Sequence, residues 1–166
     1  GILFLKEGNF DLKGKAGSKQ VDNKRKVQII GGEWNVSFTK GWGAPESAVF
    51  PQLTSWTNND NAGIKYYSGI GTYHKTFQFE NKSPLSKDER IYLDLGEISK
   101  VGEVWLNDKP LGITWAKPYR FDITNNINNG QNALTVEVAN VWSNRLTGDA
   151  NTGEKFTSTN IKSNNE

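Results

Sequence analysis

Apolar residues in this chain recur at every second position far more often than at every third or fourth. Trp34, Val36 and Phe38 share one face of a segment whose other face carries Asn35 and Ser37. Residues 72–79 repeat the pattern with Tyr73, Phe77 and Phe79 in phase, and Lys75 interrupts the apolar face. Ile91, Leu93 and Leu95 alternate, as do Leu134, Val136 and Val138 against Thr135 and Glu137. A period of two marks half-buried strands. Further strands are predicted over 2–5, 26–30, 101–106 and 121–124, with a return strand around Leu111, Gly112 and Ile113. Gly31-Gly32, Asn107-Asp108 and the Asn-rich stretch ending in Gly130 are the turns between them. Residues 6–26 are polar and Gly-punctuated, which reads as hairpin and loop. No amphipathic helical run is evident.

Between 40 and 69 the alternation is lost. That is too long for an ordinary connection, and such loops carry function or are packed by their own aromatics, here Trp42 and Trp56. Trp105 is out of phase with Val104 and Leu106 and so points away from the main core. Lys75 requires its stem to snorkel or its amine to find a partner. Nine or ten strands at this rhythm predict an all-β chain, an antiparallel β-sandwich of jelly-roll type. The expected organisation is leading strands and polar linker over 1–30, the sandwich over 31–150, and a C-terminal strand (155–159) or loose tail within 151–166.

Composition narrows the function. With 166 residues the chain holds one domain with a proper core, whereas a (β/α)8 barrel needs about 250 residues. Twenty basic against eighteen acidic residues leave a net charge of +2, which argues against a nucleic-acid binder. Lys24-Arg25-Lys26 reads as a solvated loop. The longest apolar runs, such as 2–5, are far too short to span a bilayer, so no membrane insertion is expected. The absence of cysteine excludes disulfides and thiolate ligation and leaves the compartment open. Methionine is absent even at position 1. The expectation is a processed chain or a fragment of a longer protein, monomeric by itself.

Several motifs carry a resemblance. TYHKTF (72–77), VGEVWLNDKPLG (101–112), PYRFDIT (118–124) and GQNALTVEVAN (130–140) are similar, in this order, to the sugar-binding, galactose-binding-like jelly-roll domain of family 2 glycoside hydrolases. WNVSFTKGWGAPES (34–47), LTSWT (53–57), GIKYYSG (63–69) and NVWSNRLTGD (140–149) resemble more closely the carboxy-terminal version of that domain in family 106 glycoside hydrolases, the α-L-rhamnosidases of Bacteroidetes. The resemblance covers about residues 31–161. Asp108 and His74 depart from it, standing where relatives usually have Gly and often Arg. It implies a jelly roll without catalytic residues of its own, part of a periplasmic or extracellular enzyme acting on plant polysaccharide. The parent's acid and base would lie on a separate barrel.

Sugars are held by aromatic faces laid on C–H-rich ring faces and by planar polar groups that pair with vicinal hydroxyls. Trp142, Asn144, Arg145 and Asp149, read as a loop after the last long strand, supply these types. Trp115, Tyr119 and Arg120 at a sandwich rim form a second candidate wall. The partner would be a glycan or the parent's catalytic domain. The competing reading pairs Arg145 with Asp149 to pin the loop, with Trp142, Trp115 and Tyr119 capping the sandwich. Asp122 is read as holding the turn that follows it. His74, on an outer strand face, is read as ordinary surface. No cofactor is expected, although Asn58-Asn59-Asp60-Asn61 could offer oxygens to a structural Ca²⁺ of the sort related folds hold.

Overall fold

The computed structural model describes residues 8–14, 17–23, 26–81 and 84–157. The chain divides into two compact units, Gly1–Gly31 and Gly32–Glu166. In the first, β1 (Gly8–Gly14) and β2 (Gly17–Asn23) form an antiparallel hairpin. The strand predicted over 2–5 lies outside the described residues. Residues 26–30, predicted as a strand, are not one. The run is apolar enough, but no described strand pairs with it.

The second unit is built on β3 (Trp34–Phe38), β4 (Ser47–Phe50), β5 (Ile70–Phe79), β6 (Tyr92–Asp94), β7 (Val101–Leu106), β8 (Lys109–Thr114), β9 (Arg120–Asp122) and β10 (Gly130–Ala139). Six of these make one sheet in the order β4-β3-β5-β10-β7-β8, with every pairing antiparallel, and β6 pairs with β9 in a second, small sheet. The expected antiparallel, galactose-binding-like β-sandwich is what the chain forms. β10 lies at its centre, with β5 on one side and β7 on the other.

The period of two becomes a core directly. Trp34, Val36, Phe38, Phe50, Val104, Leu106, Leu134 and Val136 are buried, joined by Leu93 and Ile123 from the region of the small sheet. Lys75 meets the requirement set by its position. Its Nζ donates to the Glu33 carbonyl at 2.6 Å and sits 5.9 Å from the Trp34 ring centroid. Asn107 and Asp108 both adopt positive φ (53° and 61°) in the β7–β8 turn, the conformation a two-residue hairpin connection demands.

The Asn-rich turn before β10 is explained by one buried side chain. Asn132 Oδ1 accepts from Asn107 Nδ2 and from the Asn128 N–H, both at 2.8 Å. Its Nδ2 donates to the carbonyls of Asn128 and Gly130. Asp122 holds its turn as read, since its Oδ1 accepts from the Thr124 hydroxyl (2.6 Å) and N–H (3.0 Å). These two bonds hold its carboxyl below the ordinary range, against a smaller upward push from burial and with help from Arg90.

The 40–69 stretch is not structureless. It contains β4, a 3-10 turn (Trp56–Asn58) and a short helix, α1 (Ala62–Lys65). Trp56 and Tyr67 fold back on Phe38 with centroid distances of 5.7 and 4.9 Å. Gly71 permits this, because a Cβ there would lie 2.6 Å from the Trp56 ring. Trp42 does not join them and is 41% exposed. In the Asn58-Asn59-Asp60-Asn61 run, Asn59 Oδ1 accepts from the Asn61 N–H and Asn61 Oδ1 from the Ile64 N–H. Two of the four side chains considered for calcium, Asn59 and Asn61, are thus a turn and a helix cap. Among the described residues no group of three His, Cys, Asp or Glu is placed to hold a metal.

Candidate functional site

Residues 142–149 are not a loop. A ten-residue helix, α2 (Ser143–Thr152), follows β10 almost at once. Its composition is poor for a helix, and tertiary hydrogen bonds hold it. Asn140 accepts from the Gly69 N–H and donates to the Tyr67 carbonyl, both at 2.9 Å. Ser68 Oγ donates to the Val141 carbonyl and accepts from the Arg145 N–H. Asn144 Nδ2 donates to the carbonyls of Lys65 (2.8 Å) and Tyr67 (3.0 Å). Gly148 lies directly on Tyr66, where a Cβ would collide with that residue's Cβ and Cγ. The motifs at 63–69 and 140–149 are therefore two halves of one joint.

Arg145 is the largest fully buried side chain, at 2% exposure. Its Nε–H donates to Asp149 Oδ1 at 2.8 Å, one helical turn on, and its guanidinium lies 4.4 Å from the Phe156 centroid. The other Asp149 oxygen accepts from the Thr157 N–H (2.9 Å) and hydroxyl (2.7 Å). Burial pushes the Asp149 carboxyl up. The bonds from the Thr157 hydroxyl and N–H, the Phe156 N–H and Arg145 outweigh it and bring the pKa down from 3.8 to about 2. The expected strand at 155–159 is absent over its described residues, 155–157. The chain there instead wraps back over Arg145.

The sign of the linkage follows. A carboxyl whose pKa falls on folding supplies stability that is complete above the unfolded value of 3.8 and is lost as pH drops toward about 2. Asp149→Asn is therefore expected to flatten the acid limb of a stability–pH curve between these values. Asp94 and Asp122, also lowered, leave part of that limb in place. An acid limb identical in the variant and the parent chain would sink this assignment.

Of the residues expected to meet a ligand, Asn144, Arg145 and Asp149 are committed inside the fold. Arg145 and Asp149 pair as the competing reading had it, and Asn144 is held by the carbonyls of Lys65 and Tyr67. Arg120 is committed too: its Nη2 donates to Asp94 Oδ2 at 2.9 Å, and it lies 5.5 Å from the Tyr92 centroid. Tyr119 is half-buried, with its carbonyl accepting from the Leu95 N–H. Only the tryptophans are available, Trp115 at 71% and Trp142 at 62% exposure, so neither caps the core.

Register brings these two to the same end of the large sheet. Thr114 is opposite Gly102, and Ala139 is opposite both Val101 and Ile70. Trp115 follows the first of these strand ends, and Val141 and Trp142 follow the second. The outer face near this end carries Ile70, Val101 and Ile113, all exposed. Sequence reading missed Tyr67, Ser68 and Phe156. No local pattern marks them, because their partners come from elsewhere in the chain: Val141 and Arg145 for Ser68, Phe38, Thr39 and Trp56 for Tyr67, and Arg145 for Phe156.

Comparison with known proteins agrees with this architecture. The chain is 40% identical over 139 residues to a putative beta-glucuronidase of Formosa agariphila, covering 84% of this chain and 12% of that protein. It superposes on a rhamnosidase from Novosphingobium sp. PP1Y with TM-score 0.71 and 32% identity, covering 89% of this chain and 12% of that one. A beta-glucuronidase from Bifidobacterium dentium matches at TM-score 0.52 and 25% identity over 65% of this chain and 19% of its own. The chain thus spans about an eighth of the first two proteins. The family described as glycosyl hydrolase 2 galactose-binding domain-like matches residues 56–166. This is more than half of the sequence, and the chain belongs to that family.

Proposed function

We propose that this galactose-binding-like domain is a non-catalytic module of a large glycoside hydrolase and that it works by packing against a neighbouring domain of that protein. One observation carries the reading: the exposed apolar end of the sheet, formed by Ile70, Val101, Ile113, Trp115, Val141 and Trp142. Contiguous exposed apolar surface marks an interaction site. The polar groups that a rim sugar site would need there are spent internally. Large aromatics at such a junction bury about 150–250 Å² each.

The parent is an α-L-rhamnosidase of family 106 type, carrying the module on its carboxy-terminal side and acting on plant polysaccharide outside the cytoplasm. The superposition on a rhamnosidase over 89% of the chain supports this. A beta-glucuronidase parent is the second reading, favoured by the 40% identical relative. Assaying the intact parent on aryl α-L-rhamnoside and aryl β-D-glucuronide separates the two.

The packing role is tested with Trp115→Asp and Trp142→Asp together. Within the intact enzyme this pair is expected to split one thermal transition into two, since buried interface tryptophans are worth about 2 kcal/mol or more each. The isolated chain carrying both substitutions should melt as before, because both side chains are exposed there. An intact enzyme whose melting does not change would end the proposal.

A further inference from the structure

We propose that the outer face of the large sheet binds an uncharged pyranoside, in a groove lined by Thr72 and His74 of β5, Trp105 of β7, Asp108, and Thr135 and Glu137 of β10. The groove measures about 290 Å³, just under the roughly 300–1,000 Å³ of small-molecule sites, so it suits a single sugar ring. Register assembles it. Thr135 is directly opposite His74 on one side and Trp105 on the other, while Glu137 is opposite Thr72 and Glu103. Residues of three strands that are far apart in sequence thus form two adjacent rows.

The chemistry suits a polyol ring. Half-buried Trp105 offers an aromatic face. Glu137 and Asp108 offer planar acceptors for vicinal hydroxyls, and His74 Nδ1 lies 3.3 Å from Thr135 Oγ1, so this pair can donate or accept. Unlike Arg145, Asn144 and Asp149, the carboxylates of Glu137, Glu103 and Asp108 have no hydrogen-bond or ion-pair partner among the described residues. Glu103 and Glu137 also face each other across β7 and β10. A like-charge pair at directly opposed positions is destabilising. Acidic surroundings select against an anionic sugar, and a uronate close to these carboxylates should bind about fivefold more weakly or worse.

The groove adjoins the apolar end, with Ile113 opposite Glu103 and Glu103 opposite Glu137, so it is tested on the isolated chain, where failure of sugar binding leaves the packing reading standing and the reverse also holds. The experiment is an amide chemical-shift titration of the 166-residue chain with methyl α-L-rhamnopyranoside, methyl β-D-galactopyranoside and methyl β-D-glucuronide. The expected result is saturable shifts with a neutral glycoside, centred on residues 72–74, 103–108 and 135–137, and weaker binding of the glucuronide. Glu137→Gln should weaken the neutral sugar about tenfold without harming the fold, since it relieves the Glu103–Glu137 opposition. Trp105→Ala should abolish binding, and Trp142→Ala should leave it unchanged. Silence with all three glycosides to tens of millimolar, shifts centred on Trp115 or Trp142, or a glucuronide bound as tightly as the neutral sugars would each overturn the proposal.

Discussion

Arg145→Ala is expected to cost about 3–5 kcal/mol, the range for removing one partner of a buried ion pair. Whole domains have only about 5–15 kcal/mol of stability, so the variant should be close to unfolding at ambient temperature. The loss has several parts. Asp149 keeps its Thr157 bonds but loses the Nε–H donor. Phe156 loses the guanidinium over its ring. The space left lies between α2 and Gly43, whose Cβ position is 2.8 Å from Arg145 Nη1. Arg145→Lys should recover little, because an ammonium lacks the fixed planar fork. Urea denaturation of the two variants, with near-UV circular dichroism of the native states, measures the effect. An Arg145→Ala chain as stable as the original would mean that the buried pair contributes nothing net to folding.

Tyr67→Ala is expected to do comparable damage by a different route. Tyr67 is wholly buried, with its ring 4.9 Å from Phe38 and 5.5 Å from Trp56. Its hydroxyl accepts from the Thr39 N–H and donates to the Ile70 carbonyl, both at 3.0 Å. Deleting the ring should cost about 3–5 kcal/mol, as for other large aromatics. Tyr67→Phe keeps the ring and strands two backbone groups, which should cost about 1–3 kcal/mol. The ordering of the two urea midpoints is the test. A phenylalanine variant as unstable as the alanine one would show that the ring adds nothing beyond its hydroxyl.

These two residues also show what a linear reading can and cannot reach. Alternation exposed β3, β5, β7 and β10 because each buries one face against a continuous core, and the Asn107-Asp108 turn was legible from its residue types. β4 was hidden because four residues between Pro45 and Pro51, paired only with β3, are too few to display a period. α2 was hidden for a different reason. Ser143–Thr152 lacks a recurring apolar stripe and carries a glycine in its middle, so nothing local favours helix. It is a helix because Ser68, Lys65 and Tyr67 offer the right partners. The four-residue spacing of Arg145 and Asp149 was visible in the sequence. Whether that pair faced a sugar or the protein interior depended on Phe156 and Thr157 arriving from beyond it. The outer groove was half legible: Trp105 and His74 were each assigned to an outer face, but only the register makes them neighbours.

The position of β10 has a consequence for how the molecule comes into being. β5 and β7 never touch each other in the sheet, since both pair with β10, and β10 is the last strand described. A nascent chain that has emerged only through β9 therefore holds two separate pieces of the large sheet, β4-β3-β5 and β7-β8, with no strand to join them. The large separation between β5 and β10 adds a slow, long-range closure to that wait, as in other β-rich domains of high contact order. Folding is then nearly all-or-none with respect to synthesis: a ribosome stalled before Gly130 should present an open, protease-sensitive chain, and the same chain should become resistant soon after Ala139 and α2 have cleared the exit tunnel.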